Sequence, residues 1–336
     1  MKELVCTTPG VFEYQETEKP ILTQGHSILE IKKVGVCGTD LHAFSGNQPF
    51  FTYPRRLGHE IAAKITSTNN PEFKEGEAVT ILPYFYCGKC IACRNGKENC
   101  CTSINVCGVH IDGAMAEYIT VPDYSLVHGE GLSYEELALV EPLAIGAHGV
   151  RRADVRTGEF VLVLGAGPIG LGIMELARIA GAKVIALDIN EKRLQFCQEK
   201  LGVEYVINSL QENVIERLQK ITQSDMPTVI IDATGNQKAI NGAFQYLAHG
   251  GRYVLVGLQK GEISFIHPEF HKRESTLMSS RNANRIDFEH VIDCMKKGLI
   301  KPTTYITHTA TFEEVKANFE NWLNPENGVI KAMISF

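Results

Sequence analysis

Apolar and polar positions fall into two rhythms along the chain. Over about the first 145 residues the apolar positions come in short runs, at 28–34, 77–82 and 116–121, broken by Gly, Pro and Asn. Such spacing predicts short β-strands. From Thr157 the pattern changes: Phe160-Val161-Leu162-Val163-Leu164 is fully apolar, then come Gly165-Ala166-Gly167-Pro168-Ile169-Gly170 and a helical pattern to Ala180. Further apolar runs at 183–187, 205–207, 228–232 and 252–256 alternate with helical patterns from Glu191 and over 237–248. Strands of this kind alternating with helices predict an α/β, doubly wound parallel sheet covered on both faces. From Asn282 the chain reads as mixed helix and strand and ends in an apolar run at 329–336. That tail cannot bury a core alone, so it is expected to return to the first domain. The expected organisation is a β-rich domain over 1–147, a nucleotide-type domain over 148–281, and the return over 282–336.

The length of 336 residues is enough for two domains with a core each. A composition of 44% hydrophobic and 21% charged residues excludes a disordered chain. Lys and Arg number 33 against 39 Asp and Glu, a net charge of −6, which gives no footprint for nucleic acid or an anionic membrane. The most apolar stretch, 160–174, is glycine-rich and too short to span a bilayer. Met1-Lys2-Glu3-Leu4-Val5 carries no basic-then-apolar signal pattern, so a cytoplasmic protein is expected, with small molecules as partners and neither nucleic acid nor membrane.

Five of the ten cysteines lie between Cys87 and Cys101. In a reducing compartment, clustered cysteines point to metal before disulfides. Cys87-x-x-Cys90-x-x-Cys93, with Cys101 or Cys100 as the fourth, supplies four thiolates from one lobe at about 85–105. Tetrahedral Zn²⁺ takes such a set and keeps no open position, which makes the role structural. An Fe–S cluster or free thiols are the alternatives on spacing alone.

Gly165-x-Gly167-x-x-Gly170 follows a predicted strand and opens a predicted helix, and Asp188 ends the next strand. Glycines permit a tight turn and close approach of a pyrophosphate to the helix N-terminus, with Pro168 and Ile169 completing the turn. Asp188 would accept from an adenosine ribose 2′-hydroxyl and repel a 2′-phosphate, favouring NAD over NADP. Arg193 lies within reach of the same region and is counted with the cofactor residues. Three further segments are bland singly: Cys37-Gly38-Thr39-Asp40-Leu41-His42, Gly58-His59-Glu60 and Glu141-Pro142-Leu143. Beside a nicotinamide site, a thiolate, an imidazole and a carboxylate can hold Zn²⁺ and leave a position for an alcohol oxygen.

In this combination and order the chain resembles, essentially end to end, the zinc-containing medium-chain dehydrogenases of the alcohol, sorbitol and threonine dehydrogenase superfamily. The resemblance implies a GroES-like β-rich catalytic domain plus a Rossmann domain, with the active site in the cleft between them. It implies one catalytic and one structural zinc per chain and selects Cys101 over Cys100. Cys37, His59 and Glu141 would ligate the catalytic zinc, with Glu60 a fourth ligand or a neighbour that exchanges with water. Asp40 would accept the free N–H of His59. Thr39 would take the proton of a secondary hydroxyl and pass it, through the nicotinamide ribose, toward His42 and solvent. Hydride would go to NAD⁺, giving a ketone and NADH. A homo-dimer or homo-tetramer is implied as well.

Glu141 stands where alcohol dehydrogenases have Cys, the polyol-dehydrogenase pattern, which argues for sugar-alcohol or sugar-acid substrates. The segments 46–51, 108–113, 232–237, 268–272 and 279–283 resemble the L-galactonate 5-dehydrogenases and, next, the RspB-type dehydrogenases. A carboxylate on such a substrate wants a cation or hydrogen-bond donors, for which Arg281 and His110 are candidates. Asn47 and Phe50 could line the pocket, and Arg55 and Arg56 are a weaker pair. A sorbitol, galactitol or L-threonine dehydrogenase is the alternative, and a non-catalytic NAD(H)-binding protein the distant one.

Overall fold

A computed structural model describes residues 1–48 and 51–336, so Phe50 lies outside the described residues. The chain's own contacts divide it into two units, Met1–Pro142 with Ala283–Phe336, and Leu143–Asn282. The first boundary falls before the expected 147/148. The helix Val140–Arg152 already packs within the second unit from Leu143 onward: a Cβ on Gly146 would come 3.1 Å from the Ile173 backbone.

The first unit is built on a seven-stranded sheet. Its central strand His26–Val36 pairs antiparallel with Glu60–Thr68 on one side and with Tyr118–Pro122 and then Lys331–Ser335 on the other. Lys331–Ser335 pairs parallel with Ile306–Thr311, so the tail contributes two strands to this sheet. The register of the central strand shifts between Ile31 and Lys33, which brings Val34 to the same core as Leu29 and Ile31. Leu29, Ile31 and Val34 face a core that also holds Ile61, Ile65, Ile81, Phe12, Phe44 and Phe319. A two-stranded ribbon, Tyr84–Phe85 with Asn105–Val106, carries the cysteine lobe.

The second unit is a six-stranded, all-parallel sheet in the spatial order Tyr205–Asn208, Lys183–Asp188, Phe160–Leu164, Val229–Asp232, Arg252–Leu255, Thr276–Ser279. Numbered along the chain this is 3-2-1-4-5-6, the doubly wound arrangement in which ligands bind beyond the carboxyl ends of the strands. The strands Phe160–Leu164 and Val229–Asp232 are buried almost throughout, as their unbroken apolar runs require. The helical pattern over 237–248 resolves into a helix Gln237–Ala243 and a 3₁₀ turn Phe244–Tyr246. There the Phe244 ring turns in against Tyr253 and Phe265. Among the described residues no helix is long and apolar enough to cross a membrane.

Candidate active site

Cys37 leaves the end of the strand His26–Val36 and caps the helix Gly38–Phe44. Gly58 holds φ +94°, a backbone that favours glycine, and delivers His59 and Glu60 to the start of the strand Glu60–Thr68. Asp40, wholly buried, ties these two segments together. Its Oδ2 accepts from the Cys37 N–H at 2.9 Å, and its Oδ1 accepts from the Gly58 N–H at 3.1 Å. His59 Nδ1 lies 3.6 Å from Asp40 Oδ1, longer than a hydrogen bond, and is buried with no hydrogen-bond partner. Burial would lower the His59 pKa, but the charges of Asp40 and Cys37 outweigh it and hold the imidazole well above its ordinary value. Burial would likewise raise Asp40, and the His59 charge with the two amide donors holds it below the carboxylate range.

The ligand atoms of Cys37, His59 and Glu60 all lie within 4.8 Å of one another. Thiolate, imidazole and carboxylate at that spacing suit Zn²⁺. Glu141, expected as a ligand, stands outside this set. Its carboxylate accepts a hydrogen bond from the buried Tyr84 hydroxyl. Burial, and then the charge of Glu60, push Glu141 up to about 7 against the opposing His59 charge. Tyr84 is raised well above its ordinary value, by burial and then by Glu141, so it stays a donor.

Two residues of this site have no motif to announce them: Tyr84, and Lys331 in the last strand. Lys331 is 2% exposed, and its Nζ donates to Glu60 Oε1 at 2.5 Å, to Oε2 at 2.7 Å and to the Val36 carbonyl at 3.1 Å. Gly35 lies opposite Glu60 across the ladder, and a Cβ there would sit 2.1 Å from Glu60 Oε2. The missing side chain is the space the carboxylate occupies. A lysine opening an otherwise apolar strand was the only signal in the sequence, and it named no partner.

Thr39 is half-buried in the first turn of its helix and His42 is exposed in the last. Asn47 is exposed. His110 sits in a turn, where its Nδ1 accepts from the Val106 N–H at 3.1 Å. Arg281 is exposed at the end of the second unit. Arg55 and Arg56 face Asp112 and Glu3 at 3.8 and 2.5 Å.

In the cysteine lobe the four sulfurs of Cys87, Cys90, Cys93 and Cys101 also lie within 4.8 Å of one another, while Cys100 is exposed and outside the set. The Cys87 N–H donates to Cys101 Sγ at 3.3 Å and the Cys93 N–H to Cys90 Sγ at 3.5 Å. Amide donors lower Cys87 and Cys90, whereas burial raises Cys93. Four sulfurs with backbone donors fit a closed tetrahedral zinc site.

In the second unit, Gly165 (φ +94°) ends the strand Phe160–Leu164, and Gly167 caps the helix Pro168–Ile179 with Pro168 at its first position. A Cβ on Gly170 would lie 1.9 Å from the Gly165 carbonyl, whereas one on Gly167 would meet nothing within 4 Å. The turn thus closes on itself at Gly170 and opens outward at Gly167, which suits an incoming pyrophosphate. Asp188 ends its strand with Oδ2 accepting from the Ala166 N–H at 2.6 Å and Oδ1 from the Ile189 and Asn190 N–H groups at 2.7 and 2.8 Å. The carboxylate is thereby pinned beside the glycine turn. Arg193 is half-buried in the first turn of the following helix.

Comparison with known proteins shows the family. Residues 23–130 match the alcohol dehydrogenase GroES-like domain and residues 168–297 the zinc-binding dehydrogenase family. The chain is 41% identical to L-galactonate-5-dehydrogenase of Escherichia coli K12, over 100% of this chain and 99% of that one. It is 30% identical to a sorbitol dehydrogenase of Halalkalibacterium halodurans, over 94% of each chain. The crystal structure of RspB from E. coli CFT073 in complex with NADH superposes with a TM-score of 0.94 at 31% identity, covering 100% of this chain and 99% of that one. A GroES-like unit and a Rossmann-type unit with family matches in both make this chain a zinc-type alcohol dehydrogenase of the medium-chain superfamily, an oxidoreductase.

Proposed function

We propose that this dehydrogenase oxidises a secondary hydroxyl of a sugar acid, an aldonate of the L-galactonate kind, with NAD⁺ as the hydride acceptor. The observation that carries the chemistry is the buried set of Cys37, His59 and Glu60. The substrate class is supported by full-length similarity to an L-galactonate-5-dehydrogenase. Cys37, His59 and Glu60 would hold the catalytic zinc, with Glu141 beside them and Tyr84 fixing its carboxylate. Bound there, the ion would polarise the substrate oxygen and stabilise the charge left as its proton departs. Thr39 and His42 are three positions apart on one helix, so their side chains share a face. Thr39 accepts the substrate proton, and exposed His42 releases it to water. The 165–170 turn receives the pyrophosphate and Asp188 the adenosine ribose, and the Asp188 charge disfavours NADP. Cys87, Cys90, Cys93 and Cys101 would hold a second, structural zinc.

We further assign the enzyme to the cytoplasm, where ten cysteines with no disulfide among them are chemically at home, and to a homo-dimer or homo-tetramer. Arg281, His110 and Asn47 are the first residues to vary when carboxylate recognition is mapped. A polyol substrate is the second reading, favoured by the sorbitol dehydrogenase relative.

The test is NADH formation by purified protein with L-galactonate, other aldonates, sorbitol, galactitol and L-threonine, each with and without a zinc chelator and with NAD⁺ or NADP⁺. Selective, chelator-sensitive oxidation of L-galactonate with NAD⁺ is expected. Preference for sorbitol or L-threonine would replace the substrate. No turnover by protein that binds NADH would leave the non-catalytic reading.

A further inference from the structure

Asp232 ends the strand Val229–Asp232, and its carboxylate is wholly buried with no salt bridge to Lys or Arg among the described residues. Three donors converge on it instead. Its Oδ1 accepts from the Thr234 N–H at 3.1 Å and the Thr234 hydroxyl at 2.5 Å, and its Oδ2 accepts from the Gly235 N–H at 3.2 Å. The Asp232 main-chain carbonyl accepts from the Val256 and Gly257 N–H groups at 2.9 and 3.0 Å. One residue therefore governs the turns that leave two neighbouring strands.

Those turns are nested without slack against the glycine turn of the first strand. The Ala233 N–H donates to the Leu164 carbonyl at 2.8 Å. A Cβ on Gly165 would come 2.9 Å from Thr234 Cγ2, and one on Gly257 would come 2.2 Å from the Gly235 nitrogen and 2.8 Å from Asp232 Oδ2. Gly235 has φ +56°, a left-handed backbone held in place by the hydrogen bond to Asp232. Every donor around the carboxylate is an N–H or O–H, so the position demands a group that only accepts. Asparagine would present its NH₂ to another donor. Burying a carboxylate without a cation is costly, and here that cost shapes one turn.

We propose that Asp232 is a positioning residue for the nicotinamide dinucleotide: its carboxylate shapes the 233–235 turn on which the 165–170 turn is seated. The inference rests on the dinucleotide reading of the 165–170 turn. Asp232 acts through the two turns and takes no part in hydride transfer.

The experiment compares zinc-loaded, full-length parent and Asp232→Asn by NADH fluorescence titration and steady-state kinetics. Loss of one hydrogen bond to a charged acceptor is expected to raise the NADH Kd and the KM for NAD⁺ together by about tenfold. The kcat at saturating NAD⁺ and the zinc content should be unchanged. A purely structural role would lower the melting temperature and leave the NADH Kd at the parent value, and that result overturns the proposal. If the Asn variant does not fold, Thr234→Val carries the test, because it removes the hydroxyl donor and keeps the methyl group that packs on Gly165. A Kd raised several-fold, restored in Thr234→Ser, supports the proposal; a parental Kd in Thr234→Val overturns it. Failure of the parent itself to bind NADH overturns the dinucleotide reading and this inference with it.

Discussion

Replacing Lys331 by Met keeps the length of the side chain and removes its charge. The structure then leaves Glu60, 0% exposed, without the ammonium that meets both its oxygens at 2.5 and 2.7 Å. Breaking a buried ion pair by removing one partner costs about 3–5 kcal/mol, because the surviving charge stays desolvated. For a domain of this size, each kcal/mol shifts the melting temperature by about 2–4 °C, so Lys331→Met should lower the metal-free melting temperature by roughly 6–20 °C. Zinc would supply the counter-charge that Lys331 no longer provides, so the gap between variant and parent should narrow when zinc is present at saturation. The assay is calorimetry of parent, Lys331→Met, Glu60→Gln and the double variant, each with chelator and with zinc. The double variant should be more stable than Lys331→Met alone, since it buries no charge at either position. A metal-free Lys331→Met that melts with the parent, or a double variant whose loss is the sum of the singles, would refute the reasoning.

Glu141 is pushed up to about 7 from 4.5, mainly by burial, so the native state keeps its proton to higher pH than the unfolded chain. Stability of the metal-free protein should therefore fall as pH climbs from about 4.5 through about 7, by on the order of 3 kcal/mol, and Glu141→Gln should flatten that slope in urea titrations run across the range. Gly35→Ala drives a methyl group into the space of Glu60 Oε2. It should cost about 1–3 kcal/mol of stability by overpacking and hasten zinc loss to a competing chelator, followed with a chromogenic indicator. Cys101→Ser should lose the zinc of the cysteine lobe in elemental analysis, and Cys100→Ser should keep it, since only Cys101 stands in the four-sulfur set.

Local chemistry made much of this protein readable from its residues. The apolar runs at 160–164 and 229–232 are buried on both faces of a parallel sheet, so they show no alternation and stand out. The four cysteines of the lobe lie close in sequence; spacing left Cys100 and Cys101 open, the resemblance selected Cys101, and the four-sulfur set contains Cys101. Cys37, His59 and Glu60 were legible as residue types in short motifs. Their partners were not: Lys331 reaches Glu60 across 271 positions and Tyr84 reaches Glu141 across 57. Register brings these side chains together, and register is a property of paired strands that no single segment encodes. The same holds for Glu141, since nothing near it in sequence reveals Tyr84, whose hydroxyl donates to its carboxylate.

The Glu60–Lys331 pair also has a consequence in time. Ribosomes extend a chain at about 5–20 residues per second, so the 271 positions that separate the pair correspond to roughly 14–54 s of synthesis. Through that interval the nascent chain carries Glu60 without its counter-charge, and the strand His26–Val36 lacks the neighbour Lys331–Ser335. The inserted unit, Leu143–Asn282, is translated in full before either arrives. The four sulfurs of the cysteine lobe and the ribbon strand Asn105–Val106 that closes it are all synthesised by residue 106. Order of synthesis thus completes the four sulfurs of the lobe first, the inserted unit next, and the Lys331 partner of Glu60 last.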